Sequence, residues 1–506
     1  MDPTHRLAVE TIQKDKQAII FTSSRASAEK TAEEISKLTS MQLPELEKEI
    51  LKAASSPTRQ CRKLSNCIRK GIAFHHAGLL QKQKDLIEEE FKKGKVKIIC
   101  ATPTLAAGLS LPVFRVIIKS LKRYSGRWGM DWIPVLEYLQ MAGRAGRPEY
   151  ESFGEAISIA SNENQKQEIY DRYVCGAPEE IYSKLAVEPV LRTYLLSLIS
   201  SGIVRDEKSM KDFFAKTFWA HQFRDFQKLE LIMERMLDML GEWGFVQIIG
   251  KEDDFVAASE IGNEKKLRPT MLGKRISELY LDPLTARHLL DCLQKFNKDK
   301  NAFSLLQMIS NTLEMRPLLR IKSKEGDSIQ EELVRYYDML LQQEPSAFDL
   351  DYPEFMNSIK TALFFEGWIN EMEEDFLLEN YGIRPGEIRM KITTADWLLY
   401  ASEELSKILN YTLAVKEIHK LRIRVKHGTK EELLPLLKLK GVGRVRARKL
   451  YSHGLKDLGE LRKVDLTTLS QLLGILLAKN VKEQLGEEVK KVPKGTRKGQ
   501  RSILKY

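Results

Sequence analysis

The 506-residue chain holds no Gly-Lys-Ser or Gly-Lys-Thr triplet: Gly94-Lys95 runs into Val96, Gly250-Lys251 into Glu252, and Gly273-Lys274 into Arg275. It thus offers no loop of the kind whose glycine backbone and lysine cradle nucleotide phosphates. No Asp-Glu-x-His or Asp-Glu-x-Asp box is present to hold Mg²⁺. Cysteine is scarce, and its five copies at 61, 67, 100, 175 and 292 form no Cys-x-x-Cys pair. Neither a zinc site nor a redox motif is indicated, and separate thiols in a reducing compartment are expected. Long apolar runs are missing too. Stretches such as Ala18 to Phe21 and Lys97 to Ala101 fall far below the roughly 20 residues that span a bilayer. The opening MDPTHRLAVE has no apolar signal-peptide core. A cytoplasmic protein with no membrane partner is expected. No internal repeat is found.

What is present is ordinary in amount and uneven in placement. An apolar share of 43% and a charged share of 30% fit a globular protein. The length predicts roughly three to five domains. The net charge is +11, yet residues 411–506 hold 24 Lys/Arg against 9 Asp/Glu, so residues 1–410 carry a net −4. A locally basic domain is a stronger nucleic-acid signal than a basic average.

Residues 1–160 alternate strand and helix patterns. Strands are predicted at 17–21, 72–75, 96–101, 113–120 and 155–160, with helices at 27–38 and 79–93. Strands alternating with amphipathic helices predict a parallel α/β sheet. Beyond about 165 helical periodicity dominates, with strong helices at 192–201 and 229–241. Two short apolar runs, FVQII and FVAAS, flank the polar turn 250–254 and suggest a hairpin. Residues 270–410 read as a helical bundle, 411–490 as a small basic helical domain, and 491–502 as a polar basic tail.

The strongest chemical signal is Gln140-Met-Ala-Gly143-Arg144-Ala-Gly146-Arg147-Pro148. Two guanidiniums three residues apart on a glycine-punctuated segment can bind phosphate bidentately, and one can neutralise charge on a transferring phosphoryl group. A solvated basic turn is the alternative. Upstream, ATPTLAAGLSLP (101–112) follows a predicted strand, where parallel sheets place ligand sites. His75-His76-Ala77-Gly78-Leu79 stands at another strand end. Adjacent strand side chains diverge, so a metal site is not expected there.

In this order, these segments resemble the second RecA-like domain of superfamily 2 helicases, most closely the archaeal Hjm-type DNA-repair helicases. FTSSRASAEKTAEEI resembles motif IV, HHAGL motif IVa, ATPTLAAGLSLP motif V and QMAGRAGRP motif VI. The resemblance covers essentially the whole chain. It implies a multidomain α/β plus mostly α fold. The parts would be a RecA-like parallel α/β domain (1–165), a winged helix (166–268), a helical ratchet bundle (269–410), a helix-hairpin-helix domain (411–490) and a basic tail (491–506).

Residue roles follow from the resemblance. Arg144 and Arg147 would reach ATP phosphates across a domain interface, with Arg147 the arginine finger. Gln140 would help couple nucleotide to the domain gap, and Thr102, Thr104 and Gly108 would couple nucleotide state to DNA. The chain departs from the family in having Ser110 where Asn is usual, and Gln81 and Lys84 where an Arg is usual. Between motifs V and VI, residues 117–132 suggest a β-hairpin that splits the duplex in similar helicases. Tyr124, Trp128 or Trp132 would stack on the last base pair, unless they face the core. Trp397 and Arg389 fit a ratchet helix across single-stranded DNA; a buried bundle Trp is the alternative. Gly441-Val442-Gly443, followed by Arg444, Arg446 and Arg448, forms a helix–hairpin–helix pattern that would hold DNA phosphate without reading bases. Gln500, Ile503 and Tyr506 resemble a sliding-clamp (PCNA) peptide.

The expected function is the C-terminal portion of an ATP-dependent 3′–5′ DNA helicase acting on single-stranded and forked DNA in repair. ATP and Mg²⁺ would be bound only with a separate RecA-like half or subunit, leaving this chain alone inactive. A non-catalytic DNA- or junction-binding protein is the alternative.

Overall fold

The computed structural model describes residues 2–54, 57–108, 111, 113–124, 129–146, 153–223, 226–249 and 265–487. They form two compact units. The first comprises residues 1–289, 312–320 and 373–394; the second comprises 290–311, 321–372 and 395–506.

The first unit is built on a parallel sheet. Its strands are β1 (Ala18–Phe21), β2 (Ile72–His75), β3 (Ile98–Ala101), β4 (Arg115–Ile118) and β7 (Glu155–Ser158), in the order β2-β3-β1-β4-β7. Every pairing is parallel, with Ile19 opposite both Ile99 and Val116. The β1–β4 sequences AIIF, IAFH, IICA and RVII are buried along their whole length. Near-continuous apolar strands of this kind suit a parallel sheet covered on both faces. Helices Arg25–Ser36, Arg59–Ile68 and Gln81–Lys92 supply cover through Ala28, Ile35, Leu64, Ile87 and Phe91. The polar exceptions are His75 and Arg115. The latter reaches out from β4. Its guanidinium donates to Glu155 (2.6 Å), Leu7 O (3.0 Å) and Thr11 Oγ1 (2.9 Å), so the buried charge ties the N-terminal helix Pro3–Gln13 to the sheet edge.

The predicted strands lie within a few residues of the observed ones. Helices Pro44–Lys52 and Arg59–Ile68 fall where none was predicted. Between β4 and β7 the chain makes the antiparallel pair β5 (Lys122–Tyr124) and β6 (Met130–Trp132), then the helix Val135–Ala142.

Helices Glu188–Ser200, Glu207–Phe214 and Phe226–Glu242 follow, packed through Leu191, Leu195, Met233 and Leu240. With them goes an antiparallel pair, β8 (Val246–Ile249) and β9 (Lys266–Pro269). The expected hairpin differs here. The described partner of FVQII is KLRP at 266–269, while FVAAS lies outside the described residues.

The second unit is helical. Ala302–Ser310 packs on Tyr352–Ile369, with Gln307 donating to Ser358 at 3.2 Å. Trp368 Nε1 donates to Val425 O, at the end of helix Thr412–His427, at 2.7 Å. A separate apolar core, including Leu433, Leu436, Ala447, Leu450, Leu461 and Val481, organises the basic region. The sequence places 269–410 in one bundle, whereas the packing divides it, and residues 373–394 pack with the parallel-sheet unit.

Candidate nucleotide and nucleic-acid site

The loop that leaves the carboxyl end of β3 meets the turn that follows the helix Val135–Ala142. Thr102 and Thr104 hydroxyls share a 3.0 Å hydrogen bond, and Thr104 begins the short helix Thr104–Gly108. The helix Val135–Ala142 delivers exposed Gln140, then the Gly143-Arg144 turn. Val113 N donates to Arg144 O (2.9 Å) and Gly146 N to Val113 O (2.7 Å). Arg144 Nε donates to Ala106 O at 3.1 Å, and its Nη2 turns to the same oxygen. The segments resembling motifs V and VI are thus one hydrogen-bonded cluster, joined through the Ala106 carbonyl and through Val113 just before β4. The cation at its centre rests on a neutral acceptor. Arg147 lies outside the described residues, as does Trp128.

At the end of β2, His75 Nε2 is 3.0 Å from Glu88, and burial pushes its pKa down to about 4. His76 turns the other way. Its Nδ1 accepts from Gly78 N at 3.1 Å, and its Nε2 lies 3.2 Å from Glu29, at ion-pair distance without hydrogen-bond alignment. The two imidazoles therefore diverge. Among the described residues no group of three His, Cys, Asp or Glu is placed to hold a metal ion.

Glu29 is the hub of a network that sequence reasoning missed. It accepts from Arg384 Nε at 3.0 Å and from Gln60 at 3.1 Å. Burial works against its charge, but the adjacent His76 ring, the bond from Arg384 and that guanidinium's charge prevail, and its pKa falls to about 2. Arg25 pairs with Glu387, Arg59 N and Arg62 donate to Asp375 (2.7 and 2.9 Å), and Gly386 N donates to Gly78 O at 3.0 Å. A Cβ at Gly386 would stand 2.4 Å from Ala77 O and Leu79 O, so only glycine permits that approach. The HHAGL turn is thereby fastened to the start of the helix Pro385–Ile408.

That helix carries the predicted single-strand contacts. Arg389 donates to Glu374 at 3.1 Å with about half its side chain exposed. Met390 is exposed. Lys391 donates to Met315 O and to Pro317 O, the latter at 2.7 Å, and burial lowers its pKa to about 8. Trp397 is partly buried. It stands eight residues from Arg389, roughly 12 Å along the helix axis.

On the β5–β6 hairpin, Tyr124 pairs with Met130. Trp132 is held by packing. Its ring lies against Tyr173 (5.9 Å between centroids), with Lys122 Nζ 4.2 Å above it. Of the three hairpin aromatics expected to stack on a base pair, this one is turned toward the protein.

The Gly-Val-Gly turn appears where the sequence puts it. Gly441 has φ +87°, and Gly443 precedes the helix Arg444–Ser452. The element before it is a pair of 3₁₀ turns, Glu431–Leu433 and Leu436–Lys438, in place of a full helix. The three arginines are used differently. Arg446, exposed, donates to Gly441 O at 2.8 Å. Arg444 donates to Met372 O at 2.8 Å, its guanidinium 5.3 Å from the Trp368 ring. Arg448 is fixed by Glu371 through two bonds (2.7 and 2.6 Å) and by Glu432 (2.6 Å). Gln500, Ile503 and Tyr506 lie outside the described residues.

Comparison with known proteins matches two family descriptions: "Helicase conserved C-terminal domain" over residues 4–149, and "Archaeal helicase, domain 4" over residues 303–428. The chain is 38% identical over 504 residues to the ATP-dependent DNA helicase Hel308 of Pyrococcus horikoshii, covering 97% of this chain and 67% of that protein. It is 36% identical over 513 residues to the protein of the same name from Methanocella arvoryzae (98% and 66%), and 31% identical to that of Caldivirga maquilingensis (97% and 66%).

Proposed function

The chain belongs to the Hel308-type family of archaeal superfamily 2 helicases, and from that premise we propose that it forms the DNA-engaging and phosphate-sensing portion of an ATP-dependent DNA helicase. One observation carries the reading. The Arg144 guanidinium rests on the Ala106 carbonyl, within the short helix that follows Thr102 and Thr104 at the end of β3. A phosphate is a better acceptor than a carbonyl for a guanidinium, because it adds opposite charge and a bidentate pair of oxygens. Arrival of nucleotide would therefore draw Arg144 off the Thr104–Gly108 helix and alter that loop. This gives nucleotide state a route to the loop proposed to touch DNA.

The described residues suit the phosphate end of ATP through Arg144. They do not supply a set of carboxylates for Mg²⁺. ATP hydrolysis would provide the free energy for strand separation. The phosphate loop and the magnesium ligands would come from another RecA-like domain, on a separate subunit or elsewhere in the same polypeptide. Arg147 would act as the finger, Gln140 in nucleotide coupling, Trp397 and Arg389 on the single strand, and the β5–β6 hairpin in splitting the duplex. Movement 3′ to 5′ on forked repair substrates, and clamp binding through Gln500, Ile503 and Tyr506, belong to the same proposal.

The test is DNA-stimulated ATP hydrolysis by the chain alone, and then with a phosphate-loop RecA-like domain added. Activity in the mixture and none in the chain alone is expected. DNA binding without hydrolysis in either case would favour a non-catalytic junction-binding protein. Substantial hydrolysis by these 506 residues alone would overturn the division of labour.

A further inference from the structure

Only Ile133 and Pro134 separate the hairpin strand β6 from the helix Val135–Ala142 that leads to Arg144. Both sides of this junction are held by one short stretch of later chain. Tyr173 lies in a single π-turn, Tyr170–Val174, closed by Cys175 N to Tyr170 O at 3.0 Å. Such turns are frequent at functional sites. The Tyr173 side chain is 1% exposed, and its hydroxyl donates to Ile133 O at 2.6 Å. Its ring touches Trp132 on the hairpin and Tyr138 on the helix, at 5.9 and 5.1 Å. Six residues on, the exposed Glu179 reaches the helix start. Its carboxylate accepts from Val135 N at 2.6 Å and Leu136 N at 3.2 Å. The helix needs this, because Pro134 at its N-cap offers no side-chain acceptor. The carboxylate gains as well: the Val135 N–H bond, foremost, holds its pKa below the usual range.

We propose that Tyr173 and Glu179 are positioning residues that brace the hairpin and the helix leading to Arg144 into one lever, so that load on the hairpin reaches Arg144. The jobs given to the hairpin and to Arg144 rest on the proposed function. The brace itself is a property of this chain. Two features favour a lever over ordinary packing. One ring contacts both elements, and the helix takes its cap from the same stretch that holds the hairpin. A hairpin packed only on the core would not need the finger helix capped from that stretch.

The experiment has two arms. In the chain alone, amide hydrogen exchange is followed over residues 130–142 in Tyr173→Phe, Glu179→Ala and Glu179→Gln. Loss of one cap or one buried hydroxyl bond should speed exchange about fivefold, at 135–136 for Glu179→Ala and at 130–134 for Tyr173→Phe. The β1–β4 amides should stay protected, and Glu179→Gln should keep part of the cap. Unchanged exchange over 130–142 overturns the brace, whatever the chain proves to do. With the phosphate-loop domain added, base pairs separated per ATP should fall about fivefold in Tyr173→Phe and Glu179→Ala, while ATP hydrolysis stays within about twofold. Proportional loss of both would show a merely structural role and overturn the lever. A wild-type mixture that hydrolyses no ATP would sink the proposed function, and the exchange arm would still decide the brace.

Discussion

Arg144 and Arg448 are both expected from sequence to meet phosphate, and the molecule holds them in opposite ways. Arg144 stands at the edge of the parallel sheet with a backbone carbonyl as its acceptor. Arg448 stands beyond the Gly-Val-Gly turn with two bonds to Glu371 and one to Glu432. A neutral acceptor gives up its donor to a phosphate with a net gain. Two carboxylates do not, since their release would leave the largely buried Glu371 carboxylate without its bidentate partner. The difference teaches that a basic motif is only a candidate. Whether an arginine is a sensor or an anchor depends on the charge of what it already touches.

The largest effect should follow from breaking the sensor. Arg144→Ala is expected to lower DNA-stimulated ATP hydrolysis, measured with the phosphate-loop domain present, by about 10²-fold or more. Its melting temperature should fall only modestly, since the change removes one donor from the carbonyl of buried Ala106, a loss of about 1–3 kcal/mol. Hydrolysis unaffected by the change would remove Arg144 from the site.

Next comes acid, which should separate the sheet region from the basic region. His75 has its pKa lowered from 6.5 to about 4, chiefly by burial. Lys84 and His76 push in the same direction, and Asp85 and the Glu88 carboxylate at 3.0 Å oppose. The folded state prefers the neutral ring, so its stability is complete above pH 6.5 and falls as pH drops toward 4. Glu29, lowered from 4.5 to about 2, adds a loss between those two values. Each shift corresponds to at most about 3 kcal/mol, and less where solvent screens the group. Exchange protection should therefore fade in β1–β4 at a higher pH than in the core around Leu450 and Leu461. Simultaneous loss in both regions would contradict the assignment.

Breaking the anchor should cost less than breaking the sensor. Arg448→Met is expected to destabilise the second unit by about 1–3 kcal/mol, read as a lower denaturation midpoint, because Glu371 loses its bidentate partner. Glu432→Gln, removing only the more exposed contact, should cost within about 1 kcal/mol.

The sheet was legible because its strands are continuous apolar runs, and IAFH at 72–75 could hardly be anything else in an alternating pattern. The helix Arg59–Ile68 was not, since buried Gln60 and Ser65 interrupt its apolar stripe. KLRP at 266–269 buries only Leu267, too little for a strand period. The glycine-marked turns at 143 and 441 could be found locally, because each needs few residues to declare itself. The Glu29–Arg384 pair spans 355 residues, and Tyr173 reaches back 40 to Ile133. No local periodicity encodes such pairs. The same limit explains Arg448, whose sequence neighbours promise a phosphate and whose spatial neighbours are carboxylates.

The smallest effect sharpens the comparison most. Arg446 lies on the same helix as Arg448, exposed, with the Gly441 carbonyl as its acceptor among the described residues. It should behave at the Gly-Val-Gly turn as Arg144 does at the sheet edge. Arg446→Met is expected to leave the denaturation midpoint unchanged and to weaken DNA binding equally across sequences. The slope of log affinity against log salt should shrink by about one, the signature of one lost phosphate contact. In Arg448→Met the slope measured on folded protein should stay at the parent value, because a guanidinium held by Glu371 and Glu432 displaces no counterion from DNA. Equal loss of slope in the two variants would mean that Arg448 leaves its carboxylates for DNA, and the distinction between anchor and sensor would fail at this turn.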